Sequence, residues 1–321
     1  MSAQATFPVS RGIAFQLAAA APGAVYLLVI LCAGLAVWRP AFFSVANLTN
    51  VGLQIAVLTI VSLGMTLVIL TEGIDLSLGA VLGLAGVVMG MVLVSGYPLM
   101  AGVAAAIVVG IVFGLANGAM VAWTGMPPFI VTLGTLGVAQ SFAMVLTQGN
   151  SVTGLPAQVR WFNEGLVLGI PVPLLATAVL FFLTYLLLYH TRFGRYVFAI
   201  GGNRRALALS GVRVSVYLVA VYVFAAVMAA LAAFVMTARM NSAHPTIAIG
   251  LEFDAIAAVV LGGTSFEKGR GGIVGTLAGA AAVGVLRNGL NLVGVSAEWQ
   301  VAAIGLVIIA GVAFDSVRGR T

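Results

Sequence analysis

Few residues of this chain carry side chains that could perform acid–base, nucleophilic or metal chemistry. Its 321 residues include two histidines, His190 and His244, and one cysteine, Cys32. They form no Cys/His cluster with the spacing of a zinc or haem site, and Cys32 lies in an apolar run typical of a buried structural cysteine. No GxxxxGKS/T string is present, so the chain cannot hydrolyse ATP through a P-loop.

The overall composition explains this scarcity. Hydrophobic residues make up 62% of the chain and charged residues only 7%, whereas a soluble domain carries about 25% charged residues. Such a chain cannot cover a water-facing surface, which excludes an ordinary soluble enzyme, a disordered protein and a nucleic-acid-binding domain. The pI of about 10.0 reflects 14 basic against 8 acidic residues, not a nucleic-acid surface.

The apolar segments must instead cross a membrane, and each crossing needs roughly 20 mainly apolar residues. The longest charge-free run, 76–159, is divided into three crossings by turn signals at 96–98 and 125–128. The pattern predicts an all-α, polytopic membrane helix bundle of about ten helices in a single domain, 1–321. The predicted crossings are 22–38, 51–71, 76–95, 98–123, 127–147, 171–190, 214–238, 251–266, 273–291 and 298–315.

Glycines recur at three- and four-residue spacing in two of these crossings. Small residues at this spacing let helix backbones approach closely in lipid, so they predict tight helix packing. The glycines are Gly79, Gly83, Gly86 and Gly90, followed by Gly110, Gly114 and Gly118.

Lysines and arginines predict the orientation, because cytoplasmic loops of membrane proteins carry an excess of them. Ten basic residues fall on the side of the N-terminus and four on the other side. Both termini are therefore predicted to be cytoplasmic, with residues 1–21 as a cytoplasmic or interfacial lead-in. The loop 148–170 then lies outside, where Trp161 and Phe162 suit the interfacial belt of the bilayer.

The segment 191–213 is the longest predicted inner loop, with five arginines and no acidic residue. Asn203 is predicted to cap a short helix over 204–209, which Gly211 would end. Composition leaves two interpretations open. The segment is either a positive-inside loop that touches lipid headgroups or a docking helix for a soluble partner.

Four segments form a recognisable series of motifs, at 72–79, 126–135, 191–213 and 253–265. In order and spacing they resemble the sugar-type ABC transporter permeases of the ribose/xylose/galactose family. The similarity extends from about residue 40 to 315 and is closest to ribose permeases, including the string at 288–292. Glu72 departs from the family pattern, which commonly has a small residue there.

The resemblance implies one of the membrane subunits of an importer in the bacterial inner membrane. Such a subunit would move a ribose-like pentose or related sugar inward by alternating access. Its implied partners are a second permease copy, ABC ATPase subunits, a periplasmic sugar-binding protein and the lipid bilayer. It would bind no cofactor, because ATP and Mg belong to the ATPase.

The resemblance also implies that 191–213 contains the coupling helix, which would sit in a groove of the ATPase. This favours the docking interpretation of the arginine-rich loop. The implied partner-binding residues are Arg195, Gly201, Asn203, Arg204, Arg205, Ala206, Leu209 and Ser210.

Four polar residues near predicted helix starts are structural or gating candidates: Asp75, Ser77, Glu252 and Asp254. Asp75-Leu76-Ser77 is typical of a helix N-terminus at which a carboxylate accepts free N–H groups; gating contacts and direct sugar contact are the alternatives. Glu252 and Asp254 could likewise cap a helix, contact the receptor or share in the sugar path. Arg287 is expected to snorkel or to pair with an acid such as Glu298.

Neutral polar residues in the predicted spans could form a sugar path, which needs weak hydrogen-bonding groups. Hydrogen bonds between helices are the alternative role for the same residues. The candidates are Asn117, Thr132, Thr135, Gln140, Asn288 and Asn291.

Two other classes of protein compete with the importer. An ion-gradient-driven secondary transporter would place charges deep in the bundle, whereas the charges here lie mainly at predicted helix ends. An intramembrane enzyme would need a nucleophile with a base, or paired aspartates, at one depth. Asp75, Asp254 and Asp315 are predicted near three different ends, so no catalytic or metal-binding residue is assigned.

Overall fold

The computed structural model describes residues 22–266 and 269–318, and their regular structure is almost entirely helical. The predicted lead-in at 1–21 lies outside the described residues. A 3-10 turn at Pro40–Phe43 and one short hairpin accompany the α-helices. In chain order these are α1 (Pro22–Trp38), α2 (Val45–Leu70), α3 (Leu78–Val94), α4 (Leu99–Trp123), α5 (Pro128–Thr147), α6 (Ala157–Glu164), β1 (Leu166–Val167), β2 (Ile170–Pro171), α7 (Val172–His190), α8 (Arg192–Leu209), α9 (Val214–Met240), α10 (Leu251–Leu261), α11 (Ile273–Val293) and α12 (Ala297–Arg318).

The centre of the bundle is formed by α2 and α9. Every residue of α2 from 56 to 70 is buried, and α9 packs against it through alanines. A Cβ at Gly64 would lie 2.7 Å from Ala225 Cα, so only glycine permits this close crossing. The helix begins six residues earlier than predicted because Ser44 Oγ accepts the N–H of Asn47 at 3.3 Å.

The predicted glycine contacts are confirmed in both helices that carry them. On α4, a Cβ at Gly110, Gly114 or Gly118 would lie 2.5 to 2.7 Å from backbone atoms of α9. On α3, Gly83 and Gly90 face Pro245 and Ala243, which precede α10. Small residues therefore let backbone pack on backbone where side-chain interdigitation is impossible.

Six helices within the described residues are long and apolar enough to cross a bilayer: α2, α4, α5, α7, α9 and α11. Helices α1 and α3 have 17 residues each and α10 has 11, fewer than the roughly 20 of a full crossing. Helix α1 has the predicted bounds, whereas α3 and α10 are shorter than predicted. The predicted span 251–266 ends at Leu261, because Gly262 terminates the helix and Gly263 takes a φ of +81°.

Two non-helical segments, 71–77 and 241–250, explain why α3 and α10 are short. The carbonyl of Ile74 in the first accepts a hydrogen bond from Thr132 of α5, and Asp75 and Ser77 are fully buried. The carbonyl of Pro245 in the second accepts one from Gln140 of α5. Irregular backbone at membrane depth is stable only where other protein groups form hydrogen bonds with its N–H and C=O groups. Both helices therefore begin inside the bundle.

The segment 148–170, predicted as a loop, contains α6 and the first strand of the hairpin. Phe162 of α6 packs against Phe234 of α9 with ring centroids 4.4 Å apart. Trp161 is exposed, and the interfacial position of both side chains stays a prediction. Val152 and Ala243 form a β-bridge at this end of the bundle, which we call the α6 end. The opposite end, with α8, is the α8 end.

Candidate coupling surface and polar interior

The arginine-rich segment forms α8, which consists of two helical arms separated by a kink at Asn203. The backbone of Asn203 is extended, with φ −163° and ψ 91°. Its Oδ1 accepts the backbone N–H of Ala206 at 2.8 Å, which caps the second arm, 204–209. Gly211 follows with a φ of +82°. The predicted short helix, its cap and its terminating glycine are thus confirmed.

The two arms have opposite environments. In the first arm, Gly194, Val197, Ile200 and Gly201 are buried against the bundle. Leu209 on the second arm is 83% exposed, and the predicted partner-binding residues Arg204, Arg205, Ala206 and Ser210 are also exposed. Arg195 is exposed on the first arm. The second arm therefore offers cations and one apolar side chain to a partner at the α8 end.

Gly201 joins the first arm to the centre of the bundle. A Cβ at this position would collide with the carbonyl oxygen of Leu70, the last residue of α2, and would lie 2.8 Å from Gly269 Cα. Three backbone segments thus meet where only glycine fits. The first arm of α8 is therefore in direct backbone contact with the end of α2.

A cavity of about 170 Å³ lies beside this contact. Its wall includes Glu72 and Gly73 of the first non-helical segment, Arg204 of α8, Tyr222 of α9 and the turn at 125–128. The Tyr222 hydroxyl is buried and has no hydrogen-bond partner among the described residues. The cavity thus lies between the first non-helical segment, the 125–128 turn, α8 and α9. Sequence reasoning missed Tyr222, because a lone tyrosine in an apolar helix carries no positional signal.

Glu72 adopts a left-handed backbone conformation, with φ +62°. This region costs a residue with a Cβ roughly 1–2 kcal/mol, whereas glycine enters it freely. The conformation gives a physical reason for the small residue common at this position in the resembling family.

We expect Glu72→Gly to raise the free energy of unfolding by about 0.5–1 kcal/mol, since relief of strain exceeds the added chain entropy of glycine. The midpoint of thermal unfolding in lipid nanodiscs measures the change. Asn241→Gly is the matched control: Asn241 has a φ of +50°, but asparagine tolerates this region. Equal gains in both variants would contradict strain at Glu72.

Asp75 organises the start of α3. Its Oδ1 accepts the backbone N–H of Ser77 at 2.9 Å and the Ser77 hydroxyl at 2.6 Å. Asn117 of α4 donates its Nδ2 to Ser77 Oγ at 2.9 Å. The Asp75 carboxylate thus binds Ser77, the residue before α3, in line with the predicted helix start.

Three of the predicted path residues support the two non-helical segments. Asn117 bonds Ser77, Thr132 donates to Ile74 O at 3.2 Å, and Gln140 donates to Pro245 O at 3.1 Å. The Thr135 hydroxyl bonds the carbonyl of Thr132, one turn away on the same helix. The bonds of Asn117, Thr132 and Gln140 connect different elements, as in the alternative role that the sequence left open, whereas the bond of Thr135 stays within α5. A role in the sugar path stays a prediction for them.

The other two path candidates lie elsewhere. Asn288 of α11 exchanges two amide hydrogen bonds with Asn47 of α2, at 2.9 and 3.1 Å. Asn291 accepts a hydrogen bond from Gln300 of α12 at 2.8 Å. The structure thus groups Asn117, Thr132 and Gln140 around the non-helical segments and leaves the two asparagines of α11 apart from them.

The acids at the start of α10 are buried, each only 3% exposed. Arg287 Nη2 lies 2.8 Å from both carboxylate oxygens of Asp254. Arg287 is therefore paired, as expected, but its partner is Asp254 and not Glu298. Glu252 Oε1 accepts the N–H of Gly250 at 3.3 Å, and Oε2 has no hydrogen-bond partner within the part of the chain that the structure describes. Burial leaves neither acid a surface for the predicted alternative of receptor contact.

The acids do lie at helix ends, as predicted, but those ends are inside the bundle and not at its surface. Within the described residues, no group of three His, Cys, Asp or Glu side chains could hold a metal ion. The polar interior is thus a set of hydrogen bonds that position backbone, with one ion pair.

Known proteins resemble this chain over nearly its whole length. Residues 47–312 match the family described as branched-chain amino acid transport system / permease component. The ribose import permease protein RbsC of Bacillus subtilis (strain 168) is 42% identical over 90% of both chains. The D-allose transport system permease protein AlsC of Escherichia coli (strain K12) is 36% identical, covering 91% of this chain and 90% of its own.

A third relative, the fructose import permease protein FrcC of Rhizobium meliloti, is 37% identical, covering 92% of this chain and 85% of its own. No solved structure was found to match. The family match covers well over half of the chain, and these relatives are similar along almost their full length. The chain therefore belongs to this family of permease components, as a multi-pass membrane subunit of a bacterial ABC importer and not an enzyme.

Proposed function

We propose that the chain moves a ribose-like monosaccharide inward by alternating access, driven by a separate ATPase that docks on α8. The family description names branched-chain amino acids, whereas the three relatives above are named for ribose, allose and fructose. Full-length similarity to sugar permeases at 36–42% identity supports a sugar. Uptake of labelled ribose by proteoliposomes, with allose and fructose as competitors, tests this choice.

The observation that carries the proposal is the division of α8 into a buried arm and an exposed arm. An exposed, capped helix with Arg204, Arg205 and Leu209 on its surface suits a groove on a soluble subunit. Its short connection at Asn203 to the first arm, which rests on α2 at Gly201, suits transmission of force into the membrane. A loop that only touched lipid headgroups would need neither the cap nor the glycine contact.

The mechanism follows from these contacts. ATP binding, with Mg on the ATPase, draws the ATPase subunits together and moves the second arm of α8. The first arm shifts against Leu70 and tilts α2, while the cavity beside Tyr222 leaves room for the 71–77 segment to follow. Because α3 begins at that segment, its start moves with the coupling helix. The sugar-binding protein delivers its cargo at the opposite end.

We place a second copy of the chain against α5, so that the path lies between two identical permeases. Helix α5 is largely uncovered, and a Cβ at Gly134 or Gly137 would meet no atom within 4 Å. Exposed glycines on a membrane helix favour close approach of another helix. Cysteine crosslinking at Gly134 tests this placement. The family assignment leaves the ion-gradient-driven alternative without support.

Proline at Ala206 tests the coupling role. Proline has no N–H, so it cannot donate to Asn203 Oδ1, and the cap of the second arm is lost. Ala206→Ser keeps the N–H at the same exposed position and is the matched control. We expect Ala206→Pro to lose co-purification with the ATPase and to abolish sugar uptake. The serine variant should retain both.

Membrane insertion should not change in either variant, because Ala206 is exposed and lies outside the bundle. Size-exclusion profiles and thermal unfolding in detergent provide that check. Uptake in Ala206→Pro at the level of the serine control would overturn the docking role of α8.

A further inference from the structure

The hairpin between α6 and α7 presents large apolar side chains to its surroundings. Leu166 and Val167 pair with Pro171 and Ile170 in antiparallel register. Leu168 at the tip is 97% exposed, and Leu166, Val167 and Ile170 are also exposed. Residues 165–171 contain no charged residue. Exposed apolar clusters of this kind mark interaction surfaces.

The turn itself is built against local preference. Leu168 and Gly169 both have positive φ, at +54° and +78°, as a type I′ turn requires. Asparagine, aspartate or glycine is favoured at the first of these positions, and leucine is strained there. The backbone strain at this exposed leucine is explained only if interactions of the side chain contribute a compensating free energy.

The neighbouring surface indicates what covers the tip. Val172 begins α7 directly after the hairpin, and α7 is an apolar span with an exposed apolar face that includes Val179, Phe182 and Leu183. In a multi-pass membrane protein this face meets lipid. The hairpin extends this apolar face of α7 at the α6 end, and no charged residue lies between the two.

The adjoining helix α6 has the character of an interfacial helix. Phe162 and Val159 fix it to the bundle, whereas Trp161 and Arg160 are exposed. Tryptophan is enriched at headgroup level, and basic side chains favour anionic headgroups. An open groove of about 470 Å³ lies between Leu99 and α6, and Gln158 is the one polar residue of its wall.

We propose that the tip residues Leu166, Val167, Leu168 and Ile170, together with Trp161, insert into the adjoining lipid leaflet and anchor the α6 end to the bilayer. The groove beside Leu99 takes a lipid acyl chain. The anchor holds α6 and the start of α7 at the membrane surface while the α8 end moves. The inference requires only that the chain spans a membrane and does not depend on the identity of the sugar.

Site-specific fluorescence in vesicles tests the anchor. Cys32 is the sole cysteine, so Cys32→Ser provides a background for Leu168→Cys labelled with an NBD dye. The vesicles contain phosphatidylethanolamine and phosphatidylglycerol, with a nitroxide on the acyl chain of a fraction of the lipid. Phe182→Cys, on the lipid face of α7, is the membrane control. Asn150→Cys, at an exposed polar turn of the same end, is the water control.

We expect the dye at position 168 to be quenched and blue-shifted like the dye at 182, and the dye at 150 to be unquenched. An unquenched dye at 168 that matches position 150 overturns the proposal. So does a dye at 168 that is shielded only after a sugar-loaded binding protein is added, since the tip would then be a receptor contact.

A second variant separates insertion of the protein from attraction of the dye to lipid. Leu166→Cys carries the dye, and Leu168→Asn makes the tip polar with a residue that the type I′ turn favours. Quenching at 166 should fall at least twofold when Leu168 is replaced. Unchanged quenching would show that the apolar tip does not drive insertion and would overturn its role as an anchor.

Discussion

Replacing Gly201 with alanine should reduce coupled transport more than tenfold, whereas the same change at Gly202 should have little effect. The two glycines are adjacent on α8 but differ in their surroundings. A Cβ at Gly201 would collide with Leu70 O, and a Cβ at Gly202 would meet no atom within 4 Å. Alanine at Gly201 must therefore push α8 away from the end of α2.

The cost follows from the nature of the neighbouring atoms. Overpacking a core by one methyl group usually costs about 1–3 kcal/mol, and flexible side chains lessen it by moving. Here the neighbours are backbone atoms of α2 and of Gly269, which cannot rotate aside. We expect a loss of about 2–3 kcal/mol in unfolding free energy, and a displaced coupling arm in the molecules that fold.

Three measurements distinguish these effects. Thermal unfolding in nanodiscs reports stability, co-purification reports ATPase docking, and uptake by proteoliposomes reports coupling. Gly201→Ala should bind the ATPase more weakly and transport less than a tenth as much sugar. Wild-type uptake in Gly201→Ala, or equal losses in Gly201→Ala and Gly202→Ala, would refute force transmission through this contact.

Breaking the ion pair of Asp254 and Arg287 should destabilise the bundle strongly and unequally. The Asp254 side chain is 5% exposed and the Arg287 side chain 34%. Removing the arginine leaves a carboxylate inside the bundle without a partner. Removing the aspartate leaves a guanidinium that water still reaches. We therefore expect a loss of about 3 kcal/mol for Arg287→Ala and a smaller loss for Asp254→Ala.

A double-mutant cycle measures the pair itself. The double variant should be less destabilised than the sum of the single variants, with an interaction energy of about 1–3 kcal/mol. Reversible unfolding in mixed micelles provides the four free energies. Strictly additive losses would mean that the 2.8 Å contact contributes no net stability. A greater loss for Asp254→Ala would contradict the argument from exposure.

The long helices could be predicted because their signal is local. Runs of apolar residues set α2, α4 and α9, and regularly spaced glycines marked the surfaces of α3 and α4 that touch other backbone. The helix cap at Asn203 and the helix end at Gly211 could also be predicted, since each depends on residues within one helical turn. The family resemblance supplied the function, which composition alone left undecided.

The burial of the non-helical segments could not be predicted for the opposite reason. Residues 71–77 and 241–250 contain polar residues and fall mainly between the predicted spans. They can lie inside the bundle only because distant side chains satisfy their carbonyls. Thr132 and Gln140 supply those bonds from α5, which no pattern near either segment discloses. The partner of Arg287 was missed likewise, because Glu298 is nearer in sequence than Asp254.

These segments also constrain how the chain is made. A ribosome delivers 71–77 well before α5, so the carbonyl of Ile74 enters the membrane region before its donor, Thr132, has been synthesised. Unsatisfied backbone is costly in lipid, which favours retention of α3 in a hydrated insertion channel until α5 arrives. The segment 241–250 meets no such delay, because α5 precedes it. The same architecture therefore makes the start of α3 depend on a helix that is synthesised later, whereas the segment before α10 finds its partner in α5 already made.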